Sequence, residues 1–97
     1  MSPEELGAKA HRASSLLKAM GNEKRLLILC HLTEGEKSVG SLEKLVGLSQ
    51  SALSQHLARL RRDEFVATRR DAQTIYYSIK GNETVEVMET LHRLYCV

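Results

Sequence analysis

The sequence predicts a mainly helical α+β fold of the winged helix-turn-helix class, in which four helices precede a β-hairpin and a fifth helix. Three observations lead to this prediction. Two short amphipathic stretches, 38–46 and 49–62, flank a turn that contains Gly47, as in a helix-turn-helix. Two runs rich in β-branched and aromatic residues follow at 65–70 and 74–79, which is typical of a hairpin. Helical apolar spacing at both chain ends predicts further helices there.

Length and composition limit the class of protein. The 97 residues, of which 42% are hydrophobic, fit one domain over residues 1–97, with a core thin enough to gain from a partner subunit. No apolar run approaches the roughly 18 residues of a membrane span, and the first residues lack the basic and apolar regions of a signal peptide. We therefore expect a soluble, cytoplasmic protein with no membrane partner.

The first two helices are predicted from their end residues and their apolar spacing. Pro3 suits a helix start, and an apolar seam with alternating spacings of four and three runs from there to Gly21. Asn22 can cap the second helix, whose stretch 26–32 is apolar nearly all round, so it should be the central helix, buried on most sides. The seam of the first helix consists of Leu6, Ala10, Ala13, Leu17 and Met20.

The first helix of the helix-turn-helix has a cap at each end. Ser38 can accept a hydrogen bond from its first turn. Val39, Leu42 and Val46 share one side of this helix. Gly47 can end it in the left-handed conformation.

The second helix of the helix-turn-helix is predicted to be the recognition helix. Ser49 can cap it, and Leu53, Leu57 and Leu60 recur at i, i+4 and i+7, so they form its buried stripe. Hydroxyl, amide and guanidinium groups on the other side are those that hydrogen-bond bases and phosphates in a major groove. An ordinary surface helix is the alternative for this stretch alone, but the helix before it favours DNA recognition. The outward residues are Ser51, Ser54, Gln55, Ala58, Arg59 and Arg62.

The hairpin is predicted to act as a wing. Arg69 and Arg70 lie beside its expected connection, 71–73, where arginines can contact the DNA backbone or minor groove. Residues 49–80 hold six Lys and Arg against three acids, as a phosphate-binding surface requires. A structural hairpin with solvated arginines is the alternative.

The last helix is predicted to complete a dimer interface. Gly81 and Asn82 open it, and His92 and Arg93 lie near its end, where positive charge suits the helix dipole. The first and last helices carry more apolar surface than one small chain can bury, so we expect a homodimer through both. Two recognition helices would then lie about 34 Å apart and fit an inverted-repeat operator. The apolar face of the last helix consists of Val87, Met88, Leu91, Leu94 and Tyr95.

Three segments of the chain, 17–29, 49–57 and 74–79, together resemble the ArsR/SmtB family of dimeric winged-helix transcriptional regulators. The resemblance covers residues 14–96 and implies a repressor that binds double-stranded DNA. The family usually has a glycine after the recognition helix, where this chain has 63–65 instead, so the helix end can differ here. The predicted DNA-binding residues are Ser49, Gln50, Ser51, Ser54, Gln55, His56, Arg59, Arg62, Arg69 and Arg70.

His56 lies on the flank of the recognition helix, at the edge of the predicted core. The resemblance implies that it faces DNA or supports the helix that does. Packing as a hydrogen-bonded structural histidine is the alternative.

The two cysteines, Cys30 and Cys96, are either inert thiols, metal ligands or a redox pair. Cys30 suits the inert role because it lies inside an apolar helix. A metal site needs three or four convergent ligands, and stretch 41–45 lacks the cysteine pair that soft metals prefer. We therefore expect no metal and no cofactor.

The pairing of Cys30 with Cys96 is similar to the dithiol branch of the family, which responds to reactive sulfur species or oxidants. The resemblance implies that these are sensing thiols and that joining them weakens operator binding. A metal-responsive repressor, or a regulator with structural cysteines, is the alternative. No Cys-x-x-Cys, glycine-rich phosphate loop or Ser-His-Asp arrangement stands out, so we expect no enzyme.

Overall fold

The computed structural model describes residues 1–96 and contains five helices and three strands. Their order confirms the predicted winged helix-turn-helix, with α3 and α4 as its two helices and β2 and β3 as its wing. The elements are α1 (Pro3–Met20), α2 (Glu23–Leu32), β1 (Lys37–Ser38), α3 (Val39–Val46), α4 (Gln50–Arg62), β2 (Val66–Asp71), β3 (Thr74–Ile79) and α5 (Asn82–Tyr95).

Side-chain caps begin four of the five helices. Asn22 accepts hydrogen bonds from two backbone N–H groups of α2 at 3.0 Å. Ser38 and Ser49 each accept one from their own helix, at 3.1 and 3.3 Å, and Ser2 does the same for α1. Gly47 ends α3 in the left-handed conformation, with φ of 72°. The predicted caps of α2, α3 and α4 are therefore confirmed.

The sheet is antiparallel in the order β1-β3-β2. Strand β1 was not predicted; it has only two residues and pairs Lys37 with Tyr77 and Ser38 with Tyr76. The wing connection is also shorter than predicted, because Asp71 pairs with Thr74 and only residues 72–73 remain in the turn.

The core gathers α2, α3 and α4 around the predicted leucine stripe. Leu53, Leu57 and Leu60 are at most 2% exposed, which confirms which side of α4 faces inward. The prediction that α2 is buried on most sides was only partly right. Cys30 is exposed, and Leu26 and Leu27, near the start of α2, are half-buried. Helices α1, α3 and α4 cover one side of α2, whereas its Cys30 side faces an open cleft next to α5.

The seam predicted on α1 faces outward within the single chain. Leu16, Ala19 and Met20 are the residues of α1 that the core buries, whereas Leu6 and Leu17 are 59% and 63% exposed. Of the five predicted seam residues, Met20 alone is buried. The remaining four form an apolar strip that is exposed within residues 1–96.

The recognition helix ends in the geometry that glycine usually provides, although residues 63–65 include no glycine. Glu64 adopts the left-handed conformation with φ of 63°. The Phe65 N–H donates to the Leu60 carbonyl at 2.9 Å, and the Glu64 N–H donates to the Arg61 carbonyl at 3.0 Å. These two bonds define a Schellman motif, so the departure from the family pattern leaves the helix end unchanged but strained.

We expect Glu64→Gly to stabilise the protein. Relief of the left-handed strain gains about 1 to 2 kcal/mol, and the extra freedom of glycine in the unfolded chain costs about half of that. The free energy of unfolding should rise by roughly 0.5 to 1 kcal/mol, and the Tm by about 4 °C. Thermal and urea unfolding followed by circular dichroism measure both.

Glu64→Gln is the matched control, because it removes the carboxylate near the Lys80 ammonium, 3.2 Å away, and keeps the strain. We expect it to change the unfolding free energy by less than about 0.5 kcal/mol. Equal stabilities for the glycine and glutamine variants would show that the strain carries no such cost.

Candidate nucleic-acid interface and thiol pair

The outward side of α4 is polar and unobstructed. Ser51, Ser54 and Gln55 are exposed, and so is Gln50 at the first position of the helix. The hydroxyl of Ser49 accepts a hydrogen bond from the Ala52 N–H, so it acts first as a cap. Since buried leucines anchor the opposite side, these polar groups project as a fixed ridge, and a ridge of this kind fits a major groove.

The two predicted phosphate-binding arginines of α4 differ in their surroundings. Arg62 is 71% exposed at its side chain, with Nε 3.5 Å from an Asp63 carboxylate oxygen. Arg59 is 40% exposed, with Nε 3.6 Å from the other Asp63 oxygen, and that nitrogen is buried without a hydrogen-bond partner among residues 1–96. Arg62 therefore reaches solvent more freely than Arg59 does.

A groove runs between α4 and the wing. Its volume is about 560 Å³, and Ser54 and Arg62 line it together with Ile75 of β3. Arg61 also lines this groove and is exposed, although it was not among the predicted site residues. Its position at the end of a basic helix could have suggested it.

His56 lies on the flank of α4, on the side that faces α2. It is half-buried, and burial and then the positive charge of Arg25 lower the pKa of its imidazole. Arg25 is fixed in turn by hydrogen bonds to carbonyls of the last turn of α1. A neutral, half-buried ring in this place suits support of the helix, which is one of the two roles weighed for it.

The two arginines of the wing have different contacts. Arg69 donates to both carboxylate oxygens of Glu36, at 2.6 and 3.1 Å, and its guanidinium carbon lies 4.5 Å from the centre of the Tyr76 ring. Arg70 is exposed and forms no ion pair with any residue from 1 to 96. Glu36 lies 33 residues before Arg69, and nothing in the local sequence signals this contact.

The two cysteines lie in one cleft between the end of α2 and the end of α5. Its volume is about 560 Å³, and apolar side chains such as Leu26 and Met88 line it together with Cys30 and Cys96. Both thiols are free and exposed. The inert alternative for Cys30 placed this thiol inside an apolar helix, but its side of α2 is exposed within residues 1–96.

The environment of the cleft disfavours the thiolate form of Cys30. Although Cys30 is exposed, partial desolvation by the cleft walls first, and then negative charge on Cys96, raise the pKa of the Cys30 thiol. Cys30 lies in the last turn of α2, where the helix dipole also disfavours a thiolate. Within residues 1–96, no three His, Cys, Asp or Glu side chains are placed to hold a metal ion. No helix in this part of the chain could span a membrane.

Comparison with known proteins agrees with the winged helix-turn-helix geometry of this chain. The family model "Bacterial regulatory protein, arsR family" matches residues 22–68. The transcriptional activator HlyU of Vibrio cholerae is 53% identical over 96 residues, which are 99% of this chain and 89% of that protein. The chain belongs to the ArsR family. It is a DNA-binding transcriptional regulator and not an enzyme.

Solved structures of ArsR-type regulators share the fold. Reduced HlyU from Vibrio cholerae superposes with a TM-score of 0.93 at 53% identity, covering 97% of this chain and 99% of that chain. The transcriptional repressor BigR from Xylella fastidiosa gives 0.87 at 35% identity, covering 100% and 99%. A homodimeric winged helix-turn-helix DNA-binding domain from Mycobacterium bovis gives 0.84 at 26% identity, covering 97% and 86%.

Proposed function

We propose that this ArsR-family chain is a homodimeric cytoplasmic repressor that binds an inverted-repeat operator and is released from it when Cys30 and Cys96 are oxidised or persulfidated. The observation that carries the DNA-binding part is the exposed polar ridge of α4, backed by buried leucines. The observation that carries the switch is the presence of both free thiols in one cleft.

Each group on the ridge has a role that follows from its chemistry. Ser51, Ser54 and Gln55 have hydroxyl and amide groups that can read base edges, and Arg62 with Arg59 can bind phosphates. Ser49 and Gln50 lie at the start of α4, where backbone N–H groups and the helix dipole attract a phosphate. His56 supports α4 from its half-buried position.

The dimer would bury the apolar residues that the single chain leaves exposed. Leu17 of α1 and Leu94 and Tyr95 of α5 are 63%, 67% and 81% exposed. Exposed apolar patches of this kind mark protein interfaces, and these lie on the first and last helices, as predicted. A two-fold pair would present one α4 to each half-site of a palindromic operator.

The proposed switch joins the two thiols with balanced chemistry. A thiolate of the pair attacks the outer sulfur of a hydropersulfide R–S–SH, takes that sulfur to form a protein persulfide and releases R–SH after protonation. The second thiolate attacks the cysteine sulfur of that persulfide and releases H₂S. The protein loses two electrons and gains a disulfide, and the hydropersulfide is reduced to R–SH and H₂S. With hydrogen peroxide the products are the same disulfide and two water molecules.

Two substitutions on α4 separate base reading from phosphate binding. Arg62→Ala should weaken binding to every duplex and reduce the slope of log affinity against log salt by about 1, because one phosphate contact is lost. Gln55→Ala should lower operator affinity roughly 5- to 100-fold and affinity for a scrambled duplex far less. Fluorescence anisotropy with both duplexes at several salt concentrations provides the measurement.

Ala58→Ser is a matched control, because Ala58 is exposed on the same helix and the change adds a small hydroxyl without removing a contact. A Gln55→Ala protein that keeps the wild-type ratio of operator to scrambled affinity would refute the base-reading role. An Arg62→Ala protein with the wild-type salt slope would refute the phosphate contact.

A further inference from the structure

The register of the wing separates its two arginines onto opposite faces. Successive residues of a strand point to alternate sides, and residues paired across an antiparallel ladder share a side. Arg69 pairs with Tyr76, whereas Arg70 pairs with Ile75. Ile75 lines the groove between α4 and the wing, so Arg70 lies on the groove side and Arg69 on the far side.

Glu36, Arg69 and Tyr76 form a unit on that far side, which we call the wing clamp. Arg69 donates through Nη2 and Nε to the two oxygens of Glu36 at 2.6 and 3.1 Å, which is the bidentate geometry that makes an arginine–carboxylate pair specific. Its guanidinium lies over Tyr76 at 4.5 Å, within the range of a cation–π contact. Glu36 and Arg69 each stabilise the charged form of the other, since the pKa of Glu36 is lowered and that of Arg69 is raised.

The segment that presents Glu36 is tied to the end of α2. Thr33 donates through its hydroxyl to the Cys30 carbonyl at 2.6 Å, and the N–H of Gly35 donates to the Leu32 carbonyl at 3.1 Å. On the other side of Glu36, Lys37 pairs with Tyr77 in the sheet. The carboxylate is therefore held between two ordered elements and offers Arg69 a fixed partner.

We infer that Arg69 is a positioning residue, which the wing clamp uses to hold the wing against the end of α2, and that Arg70 is the phosphate ligand of the wing. A phosphate that took Arg69 would have to displace a bidentate carboxylate. Arg70 has no such competitor among residues 1–96, and its face of the sheet adjoins the ridge of α4.

The sign of the effect at Glu36 tests this inference. Removal of an acid near a DNA-binding surface should by simple electrostatics strengthen binding. The wing clamp predicts the reverse for Glu36→Ala, because Arg69 then loses its partner and no longer holds the wing in position. Operator affinity should fall about two- to fivefold. Glu34→Ala is the matched control, because Glu34 lies two residues earlier and, within residues 1–96, its carboxylate pairs only with His31 and Lys37, at 3.5 and 4.0 Å. It should leave operator affinity unchanged or slightly higher.

The salt slope separates the two arginines. Arg70→Ala should reduce the slope of log affinity against log salt by about 1 and weaken binding to all duplexes. Arg69→Ala should keep the wild-type slope and lower operator affinity by the same factor as Glu36→Ala. The double variant, whose net charge equals that of the wild type, should show that same factor once rather than twice, because both changes break one interaction.

Anisotropy titrations under reducing conditions suffice for the wild type and the five variants, so the outcome does not depend on the thiol switch proposed above. Circular dichroism confirms that each variant is folded. A Glu36→Ala protein that binds operator as tightly as the wild type or more tightly, or an Arg69→Ala protein with a reduced salt slope, would overturn the inference. A wild-type protein that binds operator and scrambled duplexes with equal affinity would instead contradict the proposed operator-binding function.

Discussion

Treatment of the reduced protein with an organic hydropersulfide is expected to lower its affinity for the operator by about 5- to 150-fold. This range corresponds to a coupling of roughly 1 to 3 kcal/mol between two sites of one protein. A bridge between Cys30 and Cys96 would tie the end of α2 to the end of α5, and α5 belongs to the proposed dimer interface. A change there alters the spacing of the two recognition helices, on which binding to both half-sites depends. Anisotropy with operator DNA measures the affinity, and mass spectrometry of the digested protein identifies the bridge.

Cys30→Ser and Cys96→Ser are the controls for this switch. Each should bind operator as the reduced wild type does, and each should keep that affinity after treatment, because one thiol cannot close the bridge. Hydrogen peroxide should produce the same bridge without the release of H₂S. A wild-type protein whose affinity is unaffected, or in which Cys30 and Cys96 never become linked, would rule out the switch.

The rate of this reaction should rise with pH. The thiolate is the nucleophile, and burial and the nearby Cys96 raise the pKa of Cys30, so only a small fraction of this thiol is ionised at neutral pH. Below the pKa, that fraction grows about tenfold per pH unit. The formation of the bridge should therefore accelerate between about pH 7 and pH 9 in the proportion expected for thiolate attack.

Disruption of the dimer should have the second large effect. Leu94→Lys places a charge on the exposed apolar end of α5, where Leu94 is 67% exposed in the single chain. We expect this variant to be monomeric and to lose about 10²- to 10⁴-fold in operator affinity, because the two half-sites no longer bind as one linked unit. Sedimentation measures the mass, and anisotropy with full and half operators measures the affinity.

Leu45→Lys is the matched control, since Leu45 is 46% exposed but lies on α3, away from both end helices. It should remain dimeric. A Leu94→Lys protein that still sediments as a dimer would contradict the proposed interface. A monomer that binds the full operator as tightly as the wild-type dimer would contradict the requirement for two linked half-sites.

Local chemistry made the helix-turn-helix predictable from the sequence. Ser38, Gly47 and Ser49 act on the backbone within three or four residues, so their roles as caps can be read without knowledge of the fold. The leucine stripe of α4 likewise depends only on the helical period. For this reason the buried side of the recognition helix, and hence the exposed side, was predicted correctly.

Features that depend on distant partners were missed. The exposure of Cys30 results from the position of α5 relative to α2, which helical periodicity does not encode. The bond between Arg69 and Glu36 joins residues 33 positions apart, and β1 exists only because β3 offers it a pairing edge. Glu64 shows a limit of residue propensity. Glycine is the residue that favours a left-handed helix end, yet this end forms with a glutamate in that position.

Ser38 belongs to two units of the DNA-binding domain at once. Its backbone pairs with Tyr76 in the sheet of the wing, and its hydroxyl accepts the hydrogen bond that starts α3. The wing therefore cannot slide along its strands without also moving the first helix of the helix-turn-helix. In the proposed complex, a half-site would have to present the groove for α4 and the phosphates for the wing at one fixed separation. We therefore expect binding to depend on the local shape of the DNA as well as on its bases.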